Sequence, residues 1–472
     1  MAITDEAADT LATTPAPATA PEAGRGHADL ADRQALRRVA GISTELTDIS
    51  EVEYRQLRLE QVVLVGVWTG GTAADAQRSL AELAALSETA GAQVLEGLIQ
   101  RRDKPDPATY IGSGKAAELA DVVLATGADT VICDGELSPG QLISLEDIVK
   151  VKVIDRVAVI LDIFAQHARS RAGKAQVELA QLRYLLPRLR GWGQALSRTG
   201  GGIGTRQGSG ETKLETDRRR IRSRMSVLRR EITAMVAVRD TQRQARRRAR
   251  VPAVAIAGYT NAGKSSLLNR LTNADVLVQD ALFATLDPIV RRVQTPEGRG
   301  FTLTDTVGFV RHLPHQLVDA FASTLEEVAD ADVIMHVVDA SDPDPLGQLA
   351  TVRAVLSQAG AEDIAELVVV NKVDNADADA VTALRSTLPH AVYVSARTGE
   401  GIERLRQSLS TALPRPATEV DVCIPFDRGD VISQVYRDGE VLAVHHDPAG
   451  TKLRARVSPE LAAQLHGLAV MA

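Results

Sequence analysis

Cysteine is nearly absent. Cys133 and Cys423 are the only two in 472 residues, far apart and without CxxC spacing. That argues against a disulfide framework or a cysteine-rich zinc site, and a reducing compartment is expected. Aromatic residues make up only 3% of the chain, so platforms for stacking bases are scarce, with Trp192 the notable exception. No apolar run approaches the ~20 residues that span a bilayer, so no stable membrane insertion is expected. The opening run MAITDEAADT is acidic, with neither a basic start nor an apolar stretch. It does not read as a secretory signal, and the expected location is cytoplasmic.

What remains is ordinary globular material, 44% hydrophobic and 24% charged, which excludes wholesale disorder and collagen-like repeats. The length exceeds what one core holds, so several domains are expected. The net charge of −7 hides an asymmetry. Arg169 to Arg250 carries 22 Lys+Arg against 6 Asp+Glu, a balance of +16, and the rest of the chain stands at −23. An acidic protein with one strongly basic segment predicts a polyanion contact at that segment.

Five regions follow from composition and periodicity. Residues 1–47, rich in Ala, Thr, Pro and acids, have little to bury and read as a disordered extension. Residues 48–164 alternate apolar runs (Gln61–Val67, Gln93–Leu98, Thr130–Asp134, Val151–Asp155, Val157–Ile163) with helical stretches such as Ala73–Ala90. This pattern predicts a parallel-sheet α/β domain whose strands include Val157–Ile163. In 165–249, Ala165, Ala168, Ala172, Ala175, Leu179, Leu182, Leu186 and Leu189 keep a 3,4 spacing, which Ile221, Met225, Leu228, Ile232 and Met235 resume. Two heptad segments around a glycine-rich break predict an antiparallel coiled-coil hairpin. Residues 250–413 alternate strand and helix again. Pro414 and Pro416 mark a linker into a small α+β unit, 414–472. The predicted fold class is therefore multidomain α/β.

Gly258-Tyr259-Thr260-Asn261-Ala262-Gly263-Lys264-Ser265 matches GxxxxGK[ST], after a predicted strand and before a predicted helix beginning near Ser266. Glycines let backbone N–H groups converge on phosphate oxygens, and the helix N-terminus adds its dipole. Lys264 should reach the β and γ phosphates of GTP, and the Ser265 hydroxyl should ligate Mg²⁺. Asp305-Thr306-Val307-Gly308, 41 residues beyond Lys264, supplies a second Mg²⁺ carboxylate at Asp305 and a γ-phosphate-sensing N–H at Gly308. Asn371-Lys372-Val373-Asp374 sets base choice, because an acceptor-only carboxylate at Asp374 matches the N1–H and N2–H₂ donors of guanine. Ser395-Ala396 offers a backbone N–H to guanine O6. Thr285, within Phe283-Ala284-Thr285-Leu286-Asp287-Pro288, is the expected switch threonine, ordering on Mg²⁺ when the γ-phosphate is present; Thr302 and Thr304 are the alternatives, but they read as strand. The residue after DxxG is Phe309, which cannot orient water, so slow intrinsic hydrolysis is expected. Asn261 has two readings: a side-chain carbonyl that helps hold K⁺ beside the phosphates, or a brace for the loop.

The segment Thr199–Thr212 between the heptad helices is glycine-rich. As a second phosphate cradle it has the wrong context and spacing, since it follows a helix. As the tip of a hairpin pressed into a folded polyanion it fits better. Arg198, Arg206, Lys213, Arg218, Arg219 and Arg220 flank it, and Gly202 lets backbone lie flush against ribose-phosphate. RNA is favoured over DNA, because no helix-turn-helix or finger is present and a long hairpin suits shape recognition.

These motifs, with Pro105-Asp106-Pro107-Ala108-Thr109-Tyr110-Ile111-Gly112-Ser113-Gly114-Lys115, Ile154-Asp155-Arg156, Leu161–Gln166 and the loop from Gly201 through Arg219, resemble the HflX family of ribosome-associated GTPases. That family belongs to the translation-factor-related class. The resemblance runs from about residue 50 to 413. It implies GTP-dependent binding to the large ribosomal subunit and its RNA, with the hairpin tip pointing toward the peptidyl-transferase centre. It further implies splitting of stalled or idle ribosomes under stress, hydrolysis releasing a factor that is monomeric off the ribosome. It also implies ATP binding by the N-terminal domain with remodelling of ribosomal RNA, although Gly112-Ser113-Gly114-Lys115 is not a full P-loop. An RNA-binding module timed by GTP and a subunit-assembly factor are the alternatives.

Overall fold

The computed structural model describes residues 61–199, 209–248, 251–272, 282–311, 327–414, 418–448 and 450–468, with side chains at all of these but 190–199, 209–214, 239–240, 242–248 and 437–438. The expected disordered extension, the glycine-rich tip with Gly202 and Arg206, and Pro416 lie outside them, as do the side chains of Trp192, Arg198 and Lys213.

The first sheet is fully parallel, in the order β2-β1-β3-β4, from β1 (Gln61–Trp68), β2 (Gln93–Arg101), β3 (Thr130–Cys133) and β4 (Lys152–Asp155). Val62 to Val65 of β1 are buried on both faces, which is why that strand reads as a continuous apolar run. Helices α1 (Ala73–Thr89), α2 (Ser113–Thr126) and α3 (Pro139–Val149) make the crossovers. Capping boxes start two of them. Thr72 and Asp75 exchange hydrogen bonds at the head of α1, as do Ser138 and Gln141 at the head of α3.

Val157–Ile163 is not a strand. It lies inside α4 (Arg156–His167), whose first turn is capped where the Asp155 carboxylate accepts from the Ala158 N–H at 3.0 Å. Val157, Val159, Ile160, Leu161, Ile163 and Phe164 are all buried, so this helix is apolar nearly all round. A short apolar run carries no periodicity that separates such a helix from a buried strand. The heptad spacing is interrupted as well. Ala168 is extended, with ψ of 113°, so Ala165 belongs to α4, and α5 (Arg171–Thr199) starts afresh.

Helix α5 packs against α6 (Ser209–Arg248) through Ala175, Leu179, Leu182, Met225 and Leu228. Glu178 receives Arg224 at 2.6 and 2.8 Å, while Arg171 lies 3.7 Å from Glu231. The earlier residue of α5 thus pairs with the later residue of α6, which makes the helices antiparallel.

The second sheet has six strands, β10-β9-β8-β5-β7-β6. These are β5 (Ala253–Gly258), β6 (Ile289–Gln294), β7 (Gly300–Asp305), β8 (Val333–Asp339), β9 (Ala365–Asn371) and β10 (Val392–Tyr393), all parallel except the β6–β7 pair. Helices α7 (Lys264–Thr272), α8 (Pro345–Gln358), α9 (Ala378–Thr387) and α10 (Ile402–Ala412) accompany it. One apolar cluster runs from Val62 and Phe164 through Val254 and Leu303, so the two sheets share a core. The chain continues into an antiparallel sheet of β11 (Thr418–Ile424), β13 (Gly450–Val457) and β12 (Glu440–Asp447), in that order, with α11 (Gly429–Asp438) and α12 (Pro459–Leu468). Among the described residues, no helix is long and apolar enough to cross a membrane.

Candidate functional site

The glycine loop leaves the end of β5 and turns into α7, so Gly258 to Ser266 wrap the carboxyl edge of the second sheet. Phe309 pins this loop from behind. Its carbonyl accepts from the Thr260 N–H at 2.8 Å, and its N–H donates to Gly258 O at 3.2 Å. The Phe309 ring is 1% exposed and faces the core, so it cannot meet a water in the pocket. Gly308 must be glycine, because a Cβ there would stand 2.6 Å from Thr260 Cγ2 and 2.9 Å from Lys264 Nζ. Asn261 is exposed, in the left-handed region at φ 58°.

Lys264, Ser265, Thr285 and Gly308 line one cavity. The Lys264 amine is buried and donates to Tyr259 O at 2.7 Å. Burial pushes its pKa down to about 8, against the pull of Asp305. Ser265 Oγ donates to Asp305 Oδ2 at 2.6 Å, Thr285 Oγ1 donates to the same oxygen at 3.1 Å, and the two hydroxyls are 2.9 Å apart. The structure thus brings together the three residues predicted to hold Mg²⁺. Asp305 is fully buried, its Oδ1 has no hydrogen-bond partner, and burial raises its pKa despite Lys264. An orphaned carboxylate oxygen beside two hydroxyls is a donor set that fits a hard divalent cation.

The second half of the pocket comes from the ends of β9 and β10. Asn371 joins two loops: its Nδ2 donates to Ala262 O at 2.9 Å and its Oδ1 accepts from the Ala396 N–H at 3.0 Å. Lys372 Nζ lies 2.7 Å from the Asp339 carboxylate. The Asp374 carboxyl is held below its ordinary pKa, first by a hydrogen bond from Ser395 and then by Arg397, 2.7 Å away. Arg270 of α7 donates to Ala396 O at 3.0 Å and to Arg397 O at 2.5 Å, fixing the Ser395-Ala396 loop beside the glycine loop.

Several partners are not evident from the motifs. The Tyr259 hydroxyl donates to Glu82 of α1, and the Arg311 N–H donates to both, at 2.6 Å to Tyr259 Oη and 3.1 Å to Glu82 Oε1. Glu82 also pairs with Arg156, which is 2% exposed and donates to Asp134 at 2.8 Å. Burial opposes the Arg156 charge, but Glu82 and Asp134 more than offset it. Asp155, the neighbour of Arg156, accepts from Tyr184 Oη and from Arg188 Nη2 of α5, each at 2.8 Å. The Ile154-Asp155-Arg156 run was the available signal for this pair; for Glu82 there was none.

On the basic helices, Arg219 and Arg220 are exposed, whereas the Arg218 side chain is only 19% exposed. Gly112 is the N-cap of α2 and Ser113 to Lys115 open its first turn, where Lys115 pairs with Glu118.

The chain matches three family descriptions: "GTP-binding GTPase N-terminal" over residues 77–165, "GTP-binding GTPase Middle Region" over 167–246, and "50S ribosome-binding GTPase" over 253–372. It is 46% identical over 422 residues to GTPase HflX of Lacrimispora saccharolytica, covering 89% of this chain and 98% of that protein. To GTPase HflX of Escherichia coli it is 43% identical over 381 residues, covering 80% and 88%. Among solved structures, a GTP-binding protein from Sulfolobus solfataricus in complex with GDP is 26% identical with a TM-score of 0.39, over 75% of this chain and 98% of that one.

Proposed function

This chain belongs to the HflX family of GTPases and hydrolyses GTP, and from that premise we propose that it binds the large ribosomal subunit in the GTP state, splits stalled or idle ribosomes, and is released by hydrolysis. The observation that carries the reading is the +16 segment, Arg169 to Arg250, whose described residues include the paired helices α5 and α6. Six acids cannot neutralise 22 bases, and the excess calls for a polyanion. We read α5 and α6 as a coiled-coil hairpin whose glycine-rich tip, with Arg198, Gly202, Arg206, Lys213 and Arg218 to Arg220, meets ribosomal RNA.

At the pocket, the Lys264 amine and the backbone N–H groups of Asn261 to Ser266 take the phosphates. Ser265, Thr285 and Asp305 would hold Mg²⁺, which neutralises charge on the β and γ oxygens. Gly308 and Thr285 sense the terminal phosphate, and Asp374 selects guanine, with Asn371, Lys372, Ser395 and Ala396 shaping the base site. Because the Phe309 ring is in the core, hydrolysis off the ribosome is slow. Asn261 either braces the loop or lends its carbonyl to K⁺; equal rates in K⁺ and Na⁺ remove the second role.

A second reading rests on a cavity of about 790 Å³ at the carboxyl ends of β1 and β3, where strand order in the first sheet reverses. Open α/β sheets take ligands at that place. An ATP-fuelled remodelling or assembly role would use it, although Gly112-Ser113-Gly114-Lys115 does not line it. The test is sedimentation of intact ribosomes with the protein and a GTP analogue, GDP or ATP. Subunit peaks rising with the analogue alone support splitting. Binding that is equal with analogue and GDP removes the switch reading, and a requirement for ATP favours the second.

A further inference from the structure

Asp287 lies two residues beyond Thr285, yet its carboxylate faces away from the nucleotide cavity. It accepts from the Arg169 N–H at 3.0 Å, from the Ser170 N–H at 2.7 Å and from the Ser170 hydroxyl. Ser170 Oγ in turn accepts from the Gly173 N–H at 2.9 Å. The donors at the head of a helix have no intrahelical partner, and a carboxylate there also suits the helix dipole. The root of α5 is therefore held by a residue 117 positions away, in the segment that carries the switch threonine. The seat is close: a Cβ on Gly173 would stand 2.5 Å from Asp287 Oδ1.

The same short stretch is fixed at three more points. Thr285 touches Ser265 and Asp305, Leu286 is buried, and the Phe283 ring meets Phe164 of α4 edge-on at 4.7 Å. Two residues of chain reach at most ~7 Å, so Thr285 cannot move far without pulling on Asp287.

We propose that Asp287 is a positioning residue that transmits the nucleotide state from Thr285 to the root of the basic helix pair. With Thr285 held in the pocket, the carboxylate keeps the head of α5 capped and the pair at a fixed angle. When Thr285 is released, the cap is lost and the pair loosens. This deepens the reading above and rests on it for the ribosome as partner.

Amide exchange on the full chain tests the link without a ribosome. Arg169 and Ser170 should exchange more slowly with a non-hydrolysable GTP analogue and Mg²⁺ than with GDP. In Asp287→Ala they should exchange fast in both states, and Asp287→Asn, which keeps one acceptor oxygen, should restore part of the protection. Gly173→Ala, which crowds the same carboxylate from the α5 side, should act like Asp287→Ala and serves if that variant folds poorly. Equal exchange in both states of the unmutated chain overturns the proposal. The second arm is affinity for large ribosomal subunits with analogue against GDP, a ratio of about 5–150-fold for typical coupling, which should fall towards one in Asp287→Ala. A variant that binds more weakly but keeps the ratio shows a structural role only and overturns the proposal. If exchange switches while the unmutated ratio is one, the ribosome reading fails and the Asp287 link stands. If the unmutated ratio is large and exchange does not switch, the link fails and the ribosome reading stands.

Discussion

The Tyr259 hydroxyl donates a hydrogen bond to the Glu82 carboxylate, 177 positions away, and so joins the glycine loop to a helix of the first sheet. Glu82 cannot be a casual partner, because it also neutralises the buried Arg156 and receives the Arg311 N–H three residues after Gly308. Both sides of the pocket proposed to take the γ-phosphate therefore lean on one carboxylate.

Glu82→Ala should cost about 3–5 kcal/mol of stability, because it leaves a buried guanidinium with only Asp134 as counter-charge. Tyr259→Phe leaves that ion pair intact and removes two hydrogen bonds, the one donated to Glu82 and the one accepted from the Arg311 N–H, which keeps Glu82 as its acceptor, at a cost of about 1–2 kcal/mol. Denaturant unfolding distinguishes the two. Equal losses would mean that Glu82 is not what holds Arg156.

The difference between Glu82 and Ser265 shows what was legible in the sequence. Lys264, Ser265, Asp305 and Asn371 are named by local motifs, since a phosphate cradle needs fixed residue types at fixed spacing beside a strand end. Glu82 and Asp287 act through partners 74 or more positions away, and no local pattern encodes such a contact. The strand reading of Val157–Ile163 failed because burial on every side erases periodicity. The 3,4 spacing across Ala165, Ala168 and Ala172 continued through a break between two helices that only the Asp287 cap and the extended Ala168 reveal. The parallel character of the first sheet was legible, because apolar runs separated by helical lengths admit few alternatives, but its strand order was not.

The pocket should respond to pH through Lys264. Its pKa is lowered from 10.5 to about 8 by burial, so below pH 8 the folded, nucleotide-free chain carries a desolvated charge that unfolding relieves. Between about pH 8 and 10.5 the unfolded chain holds a proton that the folded one has lost, and stability rises with pH by up to about 3 kcal/mol. Lys264→Met should remove that rise. Phosphate favours the charged amine, so GTP binding above pH 8 should take up a proton, readable by calorimetry in buffers of different ionisation enthalpy. A pH-independent difference between parent and variant would refute this.

Asp374, the residue proposed to select guanine, pairs with Arg397, so on that reading nucleotide must displace an ion pair whose arginine is 76% exposed. Arg397→Ala should tighten guanine nucleotide binding by up to about fivefold, the worth of an exposed pair. Asp374→Asn should do the reverse, weakening GTP binding and turning preference towards xanthine nucleotide. Unchanged base preference in Asp374→Asn would place the base elsewhere.

The arginines of α6 should not contribute equally. Arg219 and Arg220 are exposed, and the Arg220 acidic neighbour, Asp217, stands 4.0 Å away, leaving the guanidinium open to a phosphate. The Arg218 side chain lies largely covered, and its Nε is buried without a hydrogen-bond partner. A phosphate contact releases counterions, so each one lost should flatten the plot of log affinity against log salt by roughly 0.7–0.9. Arg219→Ala and Arg220→Ala should each remove about one such step in binding to large ribosomal subunits, and Arg218→Ala should remove less while costing more stability. A slope that is the same in all three variants as in the parent would mean that this face of α6 is merely solvated, and that the +16 charge meets its polyanion elsewhere along the segment.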